Sequence, residues 1–267
     1  MKNSKLSAKS FLKELNNKKQ LKSKNQEIIG GMAICKEDFS IENLNSINYS
    51  KSSKSSNPSK DNSIAYENLK NLLDSTSSCQ ISDALSQIAG RNGVLKGIKA
   101  INGKKAYGKV VTVKTNSDDW GTSLFGIDEA NKGDILVILS IGESSAIWGE
   151  LTSTCAQKKE IAGTIIIGAT RDIDYVKRAD YPVFAKDIVP NAGKSLGLGH
   201  VNVDLNLNET KICPGDFVFA DESGVVLIPQ NLFQETILKT LEIKIKEIAI
   251  IEEIEEGKSL SEIVRLK

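Results

Sequence analysis

Residues 163–176 read GTIIIGATRDIDYV and join an apolar run to a charged pair. The β-branched residues within 163–168 predict a buried strand, which a glycine turn connects to Arg171 and Asp172. In parallel α/β sheets, ligands bind beyond the carboxyl ends of the strands. Arg171 and Asp172 are therefore candidates for a binding site. The alternative is a structural ion pair that caps the following helix.

The segments around this run alternate between strand and helix patterns. Helical spacing in 144–160 and 171–180 separates predicted strands, and a DESG turn joins the last two strands. This alternation predicts parallel crossovers, with antiparallel hairpins at the end, and therefore an α/β fold. The predicted strands are 106–115, 134–140, 163–168, 181–186, 200–207, 216–220 and 224–229.

Helical patterns flank the predicted sheet on both sides. Before it, 65–75 is periodic as a helix, and a second helix within 79–89 is predicted to start at Ser82 or Asp83, either of which can cap it. After it, apolar residues at steps of three or four predict one long amphipathic helix, suited to packing on the domain or on a neighbouring subunit. These residues are Leu238, Leu241, Ile245, Ile248 and Ile251.

The first 63 residues differ in composition from the rest of the chain. Eight lysines lie within 1–27, and NYSKSSKSSNPSKDNS closes the segment with the Ser, Lys and Asn content of a flexible linker. We predict a flexible basic arm and linker over 1–63, followed by one catalytic domain over 64–267. The alternatives are a basic arm that binds a partner or an anionic surface, and an atypical targeting segment.

The overall composition excludes several classes of protein. With 40% hydrophobic residues, 26% charged residues and a net charge of +1 over 267 residues, the chain offers no electrostatic case for nucleic-acid binding. No apolar run approaches the roughly 18 residues of a membrane span, and no signal peptide pattern opens the chain. The four cysteines form no C-x-x-C pair, which favours a reduced, cytoplasmic setting.

Two further motifs fail on inspection. NAGKSLGLG, residues 191–199, resembles a phosphate loop, but the Walker pattern needs a glycine five residues before Gly193, where Ile188 stands. His200 is the only histidine, and no nucleophile motif accompanies it. A structural role is therefore favoured for His200.

Arginine is rare in this chain, which makes Arg171 informative. Only four of the 35 basic residues are arginines. Arginine differs from lysine in its planar fork of donors, which binds a carboxylate with two parallel hydrogen bonds. Arg171 is therefore predicted to bind a carboxylate of the substrate.

The charged pair belongs to a longer pattern. WGELTSTCAQKKEIAGTIIIGATRDIDYV, with SDAL upstream and PGDFVFADESGVVLIP downstream, resembles in order and spacing the family that contains the 4-hydroxy-4-methyl-2-oxoglutarate aldolases and the regulator of ribonuclease E activity A, RraA. The resemblance covers roughly 66–262. It implies a swivelling β/β/α domain that assembles as a homotrimer or a dimer of trimers.

The resemblance also implies a site and a reaction. Asp172 would hold Mg²⁺ or Mn²⁺, and Arg171 would bind the substrate. The implied activity is that of a class II-type, metal-dependent lyase on a small 2-oxo acid, by retro-aldol cleavage of 4-hydroxy-4-methyl-2-oxoglutarate or by decarboxylation of oxaloacetate. Both reactions pass through a pyruvate enolate, which a divalent metal stabilises. The other wall of the pocket would be formed by Gly149, Glu150, Leu151 and Thr152.

The sequence departs from the aldolase pattern at one position. The aldolases carry an acidic residue three positions after the aspartate, where this chain has Tyr175. The ribonuclease regulators lose the metal aspartate, whereas this chain keeps Asp172, so catalysis is favoured. The alternative is a non-catalytic RraA-type regulator that binds a protein partner such as an RNA-degradation enzyme. The older family label of demethylmenaquinone methyltransferase finds no support, because no glycine-rich methyl-donor loop follows the first strand.

Overall fold

The computed structural model describes residues 27–29, 32–34, 69–142 and 144–266. Most of the predicted arm over 1–63 lies outside the described residues, as does the predicted boundary at residue 64. Within the arm, strands β1 (Glu27–Ile29) and β2 (Met32–Ile34) pair antiparallel, with Ile29 opposite Met32.

A nine-stranded mixed sheet forms the centre of the described part of the chain. Its main path runs in the order β13-β12-β4-β5-β7-β8-β3, while β6 pairs with β7 and β9 pairs with β4. Strands β4, β5, β7 and β8 are parallel neighbours, and β12 and β13 form an antiparallel hairpin. The strands after β2 are β3 (Lys99–Ala100), β4 (Ala106–Asn116), β5 (Ile135–Ile141), β6 (Ala146–Trp148), β7 (Gly163–Thr170), β8 (Val183–Ile188), β9 (His200–Val201), β10 (Leu205–Leu207), β11 (Thr210–Ile212), β12 (Phe217–Asp221) and β13 (Gly224–Ile228).

Helices connect the parallel strands and close the chain. Helix α2 links β4 to β5, α3 follows β6 and leads to β7, and α4 links β7 to β8. Residues 69–74 are also helical, and a short 3₁₀ helix over Gln230–Leu232 precedes the last long helix. The α-helices are α1 (Ser78–Ala89), α2 (Gly121–Glu129), α3 (Glu150–Lys158), α4 (Ile173–Arg178), α5 (Phe233–Glu255) and α6 (Leu260–Ile263).

Both faces of the sheet are buried. Because side chains alternate along a strand, Ile165 and Ile167 of β7 join one apolar cluster and Ile166 joins another. The first cluster gathers side chains from β4 through to β13, so the sheet curls around it and is nearly closed. Burial on both faces explains why β7 is almost uninterruptedly apolar. Helices α2, α3 and α4 cover the second cluster, to which they contribute Ile127, Ala156 and Val176 in that order.

The predicted α/β class and the long C-terminal helix are confirmed, but several element predictions were wrong. Strand β6 lies within 144–160, which was predicted to be helical, and β7 runs through the predicted turn at Gly168 as far as Thr170. Helix α1 starts at Ser78 and not at Ser82 or Asp83, because Ser77 and Gln80 form a capping box four residues earlier. The predicted strand over 200–207 is split into β9 and β10, since Asn202 between them has a left-handed φ of 57°. Strand β6 and helix α2 were not predicted.

By packing, the chain divides into two compact units. The first is Ser77–Phe233, which contains the large sheet. The second combines the described residues before Ser77 with those after Phe233, so it holds nearly all of α5. In α5, Ile237 and Leu241 are buried, while Ile251 near its end is 53% exposed. No helix of the described residues is long and apolar enough to span a bilayer.

Candidate active site

A small open cleft lies beyond the carboxyl end of β7. The six residues that the sequence singled out all line it, and they come from two places in the chain. Arg171 and Asp172 follow β7, whereas 149–152 form the start of α3. The structure thus brings the predicted residues together, while their chemical roles stay predictions. These residues are Gly149, Glu150, Leu151, Thr152, Arg171 and Asp172.

Asp172 is held in an unusual conformation at the mouth of this cleft. Its backbone is left-handed, with φ 56° and ψ 43°, and it stands immediately before α4. Its Oδ2 accepts the backbone N–H of Glu150 at 3.0 Å and lies 3.4 Å from Nε of Arg171. The side chains of Arg171 and Asp172 are 39% and 35% exposed, so both remain accessible to a ligand. Positive φ at a residue with a side chain is sparsely populated and often marks a functional site.

Gly149 leaves the space that Asp172 occupies. A Cβ atom at position 149 would lie 2.4 Å from Oδ2 of Asp172 and 3.1 Å from Cγ of Arg171. The φ of Gly149 is −172°, which any residue adopts, so the position needs glycine for room and not for backbone freedom. The neighbouring Trp148 carbonyl accepts the N–H of Arg171 at 3.0 Å, which ties the two halves of the site together.

The first turn of α3 faces the cleft with its amino end. The earliest N–H groups of a helix have no partner within it and carry partial positive charge, so they attract anions. Asp172 already takes the N–H of Glu150. The hydroxyl of Thr152 both accepts the N–H of Gly149 at 2.9 Å and donates to its carbonyl at 3.1 Å. Thr152 therefore fixes the turn, and the side chains left open at the cleft are Glu150 and the 78% exposed Leu151.

Tyr175, the residue that departs from the aldolase pattern, links α4 to α3. Its hydroxyl lies 2.7 Å from the hydroxyl of Thr154, which in turn donates to the carbonyl of Glu150 at 2.9 Å. Tyr175 is therefore engaged on the helix that presents Glu150, and it does not offer a carboxylate to the cleft. His200 is not among the residues that line the cleft.

Asp119, for which no role was predicted, accepts hydrogen bonds from several parts of the chain. Only 3% of this residue is exposed. Burial by itself raises the pKa of its carboxyl, but hydrogen bonds from Thr122 and from three backbone N–H groups outweigh burial and hold the pKa well below its ordinary value. Oδ1 accepts the N–H groups of Gly121 (2.9 Å), Leu196 (3.0 Å) and Gly197 (2.8 Å), and Oδ2 accepts the N–H of Leu198 (2.8 Å) and the hydroxyl of Thr122 (2.7 Å).

The glycines of NAGKSLGLG serve close packing around this buried carboxylate and not phosphate binding. A Cβ at Gly193 would lie 2.3 Å from the backbone of Asp118, and one at Gly199 would lie 2.2 Å from the carbonyl of Lys114. The N–H of Lys194 donates to the carbonyl of Asp118 at 2.7 Å. The loop 192–199 is therefore pressed against the segment that leads into α2, and its N–H groups are directed at a protein carboxylate.

We expect the contribution of Asp119 to the free energy of unfolding to decrease at acidic pH. Because the folded protein lowers its pKa, the free energy of unfolding gained from Asp119 is present above the ordinary carboxyl value of 3.8 and is lost as the pH falls below it. Denaturant unfolding from pH 7 to pH 3 should show the stability gap between the unaltered protein and Asp119→Asn narrowing with acid.

Asp134 provides the matched control, since it is equally buried at 3% exposure. Burial raises its pKa, although Asn131, Lys109 and Lys159 act in the opposite sense. The stability gap for Asp134→Asn should therefore narrow as the pH rises. If the stability gap changed in the same direction with pH for both variants, the opposite pKa shifts inferred for Asp119 and Asp134 would be contradicted.

The residues at the cleft fit a loosely held Mg²⁺ or Mn²⁺ ion. Within 69–142 and 144–266, no group of three or more His, Cys, Asp or Glu side chains is placed to hold a metal. Magnesium, however, is usually bound by one or two carboxylates and keeps water or substrate at its other positions. No hydrogen bond within the described residues reaches Oδ1 of Asp172, and Glu150 lies at the same cleft. This donor set suits a hard ion and not a structural zinc.

Fold and cleft together define an α/β protein whose cleft, lined by Arg171 and Asp172, lies at the carboxyl edge of its parallel strands. The family model described as RraA-like, Aldolase/RraA, matches residues 78–227. The chain therefore belongs to the Aldolase/RraA family, as the sequence resemblance predicted.

Relatives of known sequence carry several different names. An uncharacterized protein of Methanocaldococcus jannaschii is 39% identical over 178 residues, which are 65% of this chain and 85% of that protein. Protein DlpA of Legionella pneumophila is 33% identical over 83% of this chain, but this chain spans only 38% of its length. A protein of Halalkalibacterium halodurans named "Putative 4-hydroxy-4-methyl-2-oxoglutarate aldolase" is 33% identical over 64% of this chain and 82% of its own length.

Solved structures confirm the RraA-like fold. An uncharacterized protein from Pseudomonas syringae is 29% identical and superposes with a TM-score of 0.66, covering 75% of this chain and 98% of its own. The RNA-processing inhibitor RraA from Thermus thermophilis is 26% identical with a TM-score of 0.51, covering 56% of this chain and 92% of its own. The predicted swivelling β/β/α arrangement with a long C-terminal helix is confirmed.

Proposed function

We propose that this protein is a divalent-metal-dependent lyase that acts on a small 2-oxo acid. Its reaction is retro-aldol cleavage of a substrate of the 4-hydroxy-4-methyl-2-oxoglutarate type, decarboxylation of oxaloacetate, or both. The observation that carries the proposal is the left-handed Asp172, held beside Arg171 and the first turn of α3 on one cleft. The aldolase names of relatives such as the Halalkalibacterium protein support it.

The positive groups at the cleft suit a substrate with two adjacent oxygen functions. The guanidinium of Arg171 binds the substrate carboxylate, and its charge balances the enolate that develops during the reaction. The first N–H groups of α3 lie on the same cleft and provide a second anion site. Orienting both oxygens before bond cleavage lowers the barrier, because the reacting bond is then already in a productive geometry.

Asp172 supplies the hard oxygen atom that would hold the ion. Bound Mg²⁺ or Mn²⁺ supplies Lewis-acid polarisation of the 2-oxo group. Asp172 is kept in place by the Glu150 N–H on Oδ2, which leaves Oδ1 for this role. Glu150 is the remaining carboxylate at the cleft and orients a water molecule there.

The electron flow is the same for both substrates. In the retro-aldol reaction, the C3–C4 bond breaks and its electron pair moves into the enolate of pyruvate, while the 4-hydroxyl loses its proton and becomes a carbonyl. In decarboxylation, the bond to the leaving carboxylate breaks and CO₂ departs. Protonation of the enolate at carbon then gives pyruvate, so the branched substrate yields two molecules of pyruvate and oxaloacetate yields one.

A pyruvate assay tests this proposal directly. We expect the purified protein to release pyruvate from 4-hydroxy-4-methyl-2-oxoglutarate or oxaloacetate with added Mg²⁺ or Mn²⁺, and to lose this activity with a chelator. Coupling to lactate dehydrogenase measures the rate, and re-addition of metal in excess of chelator is the control. Rates that are equal before and after chelation would contradict the metal mechanism.

An RraA-type regulator is the second candidate, favoured by the similarity to the Thermus RNA-processing inhibitor. Such a protein binds a protein partner and needs no turnover at the cleft. A folded preparation that releases no pyruvate from either substrate, with either Mg²⁺ or Mn²⁺, would support the regulator function and contradict the lyase function. Proposed assembly as a homotrimer or dimer of trimers fits either function and is measured by the native mass.

A further inference from the structure

Asp119 joins two segments that are far apart in sequence. On one side it accepts hydrogen bonds from Gly121 and Thr122 at the start of α2, and on the other from the loop over 196–198. These partners are distant in the chain, since the Leu196 bond spans 77 positions and the Leu198 bond spans 79. This buried carboxylate therefore helps to hold the two segments together.

Both segments contribute directly to the walls of the active-site cleft. Trp120, the residue immediately after Asp119, lines the cleft, and so does Ala192 at the start of the loop. The two walls are also joined through the backbone, because the N–H of Trp120 donates to the carbonyl of Lys194 at 3.0 Å. Ala192 is held in turn by a β-bridge to Ala146, which also lines the cleft.

We propose that Asp119 is a positioning residue that holds Trp120 and Ala192 as a rigid wall of the cleft lined by Arg171 and Asp172, and that this wall limits the size of the substrate. The inference rests on the proposed lyase function, because it names the part of the same cleft that selects among 2-oxo acids. Trp120 has the largest side chain on this wall, and it is only half-buried. A bulky substituent on the substrate therefore meets the indole if the wall does not move.

The carboxylate is specifically required at position 119. Each of its oxygens accepts hydrogen bonds, and no donor is needed there. In Asp119→Asn, one oxygen becomes an NH₂ group that faces N–H donors and cannot accept from them. Either Leu198 or the Leu196–Gly197 pair then loses its buried acceptor, which is costly unless the loop moves to reach water.

The experiment compares Asp119→Asn with Asp134→Asn, a control of equal burial whose carboxylate instead accepts the N–H of Asn131, in the loop before β5. Trp120 and Trp148 are the only tryptophans, and Trp148 is fully buried with its indole N–H on Ser153. A change in emission or in acrylamide quenching therefore reports Trp120, and a Trp120→Phe protein confirms the assignment. Amide hydrogen exchange at 196–198 reports the loop.

For Asp119→Asn we expect greater quenching of Trp120 and faster exchange at 196–198, neither of which occurs in Asp134→Asn. With activity, we expect KM for the small substrate to rise about tenfold with a smaller change in kcat, and discrimination against bulkier 2-oxo acids to weaken. Should Asp119→Asn fail to fold, Thr122→Val removes one donor and should give the same changes at smaller amplitude.

The outcomes separate this inference from the proposed function. Unchanged acrylamide quenching and unchanged amide exchange in folded Asp119→Asn would overturn the positioning role of Asp119, regardless of the activity measured. Loosening of the wall together with unchanged KM and unchanged substrate selection would overturn its role in specificity. Absence of pyruvate release by the unaltered protein would instead contradict the lyase function. The quenching and exchange results would then still test whether Asp119 holds Trp120 and the loop in place.

Discussion

Asp172→Asn is expected to lower pyruvate release by about 1000-fold or more while the protein keeps its fold. The substitution preserves size and shape but removes the charge that holds a hard divalent ion. Lewis-acid polarisation contributes several kcal/mol to stabilisation of the transition state, and each 1.4 kcal/mol or so is a factor of ten in rate. The Glu150 N–H keeps an acceptor if the asparagine oxygen takes the place of Oδ2, so the loss of stability should be small.

Asp174→Asn is the matched control for this prediction. Asp174 is an exposed carboxylate two residues further on, in the first turn of α4, and it does not line the cleft. Its loss should change turnover less than about twofold. Calorimetric titration with Mn²⁺ and circular dichroism on the same preparations separate lost metal from lost fold. Full activity in a stable Asp172→Asn protein would contradict the site assignment, and activity lost only in proportion to folded protein would indicate a structural ion pair.

Half of the candidate site could be predicted from sequence, because Arg171 and Asp172 are adjacent residues that directly follow a recognisable strand. Arg171 and Asp172 end an unambiguous buried strand, and position at the carboxyl edge of a parallel sheet is enough to suggest a ligand. Residues 149–152, which line the same cleft, could not be predicted from the strand pattern. Their prediction came from the family resemblance, since nothing in the local pattern shows that the start of α3 meets the end of β7.

Asp119 was missed because its partners are tertiary. Its donors at 196–198 lie nearly 80 positions away, and no periodicity within one segment reports such a contact. One local signal was present, since an aspartate close before a helix often accepts a nearby backbone N–H, as Asp119 accepts that of Gly121. Helix α2 itself was hidden because its buried face is made largely of Gly121, Thr122, Ser123 and Gly126, which give no apolar stripe.

Gly149→Ala is expected to lower activity about 100-fold with little loss of stability. The added Cβ would lie 2.4 Å from Oδ2 of Asp172, which is too close for any real contact. The backbone needs no change, because a φ of −172° suits alanine. Since the clash is with side chains at a partly exposed site, Asp172 can turn away at small cost in folding free energy, but it then leaves the Glu150 N–H. A displacement of about 1 Å at a reacting centre can cost about 100-fold in rate.

Gly97→Ala separates this effect from the general cost of replacing a glycine. Gly97 has φ 81° and an open space around its Cβ position, so alanine is strained there and should lower the melting temperature without changing turnover per folded molecule. Gly149→Ala should show the reverse, with a nearly unchanged melting temperature and a large fall in kcat/KM. Because the clash displaces Asp172 and does not remove it, excess Mn²⁺ should restore part of the lost activity in Gly149→Ala and none in Asp172→Asn. A Gly149→Ala protein with normal turnover would show that the observed position of Asp172 against the α3 turn is not the one used in the reaction.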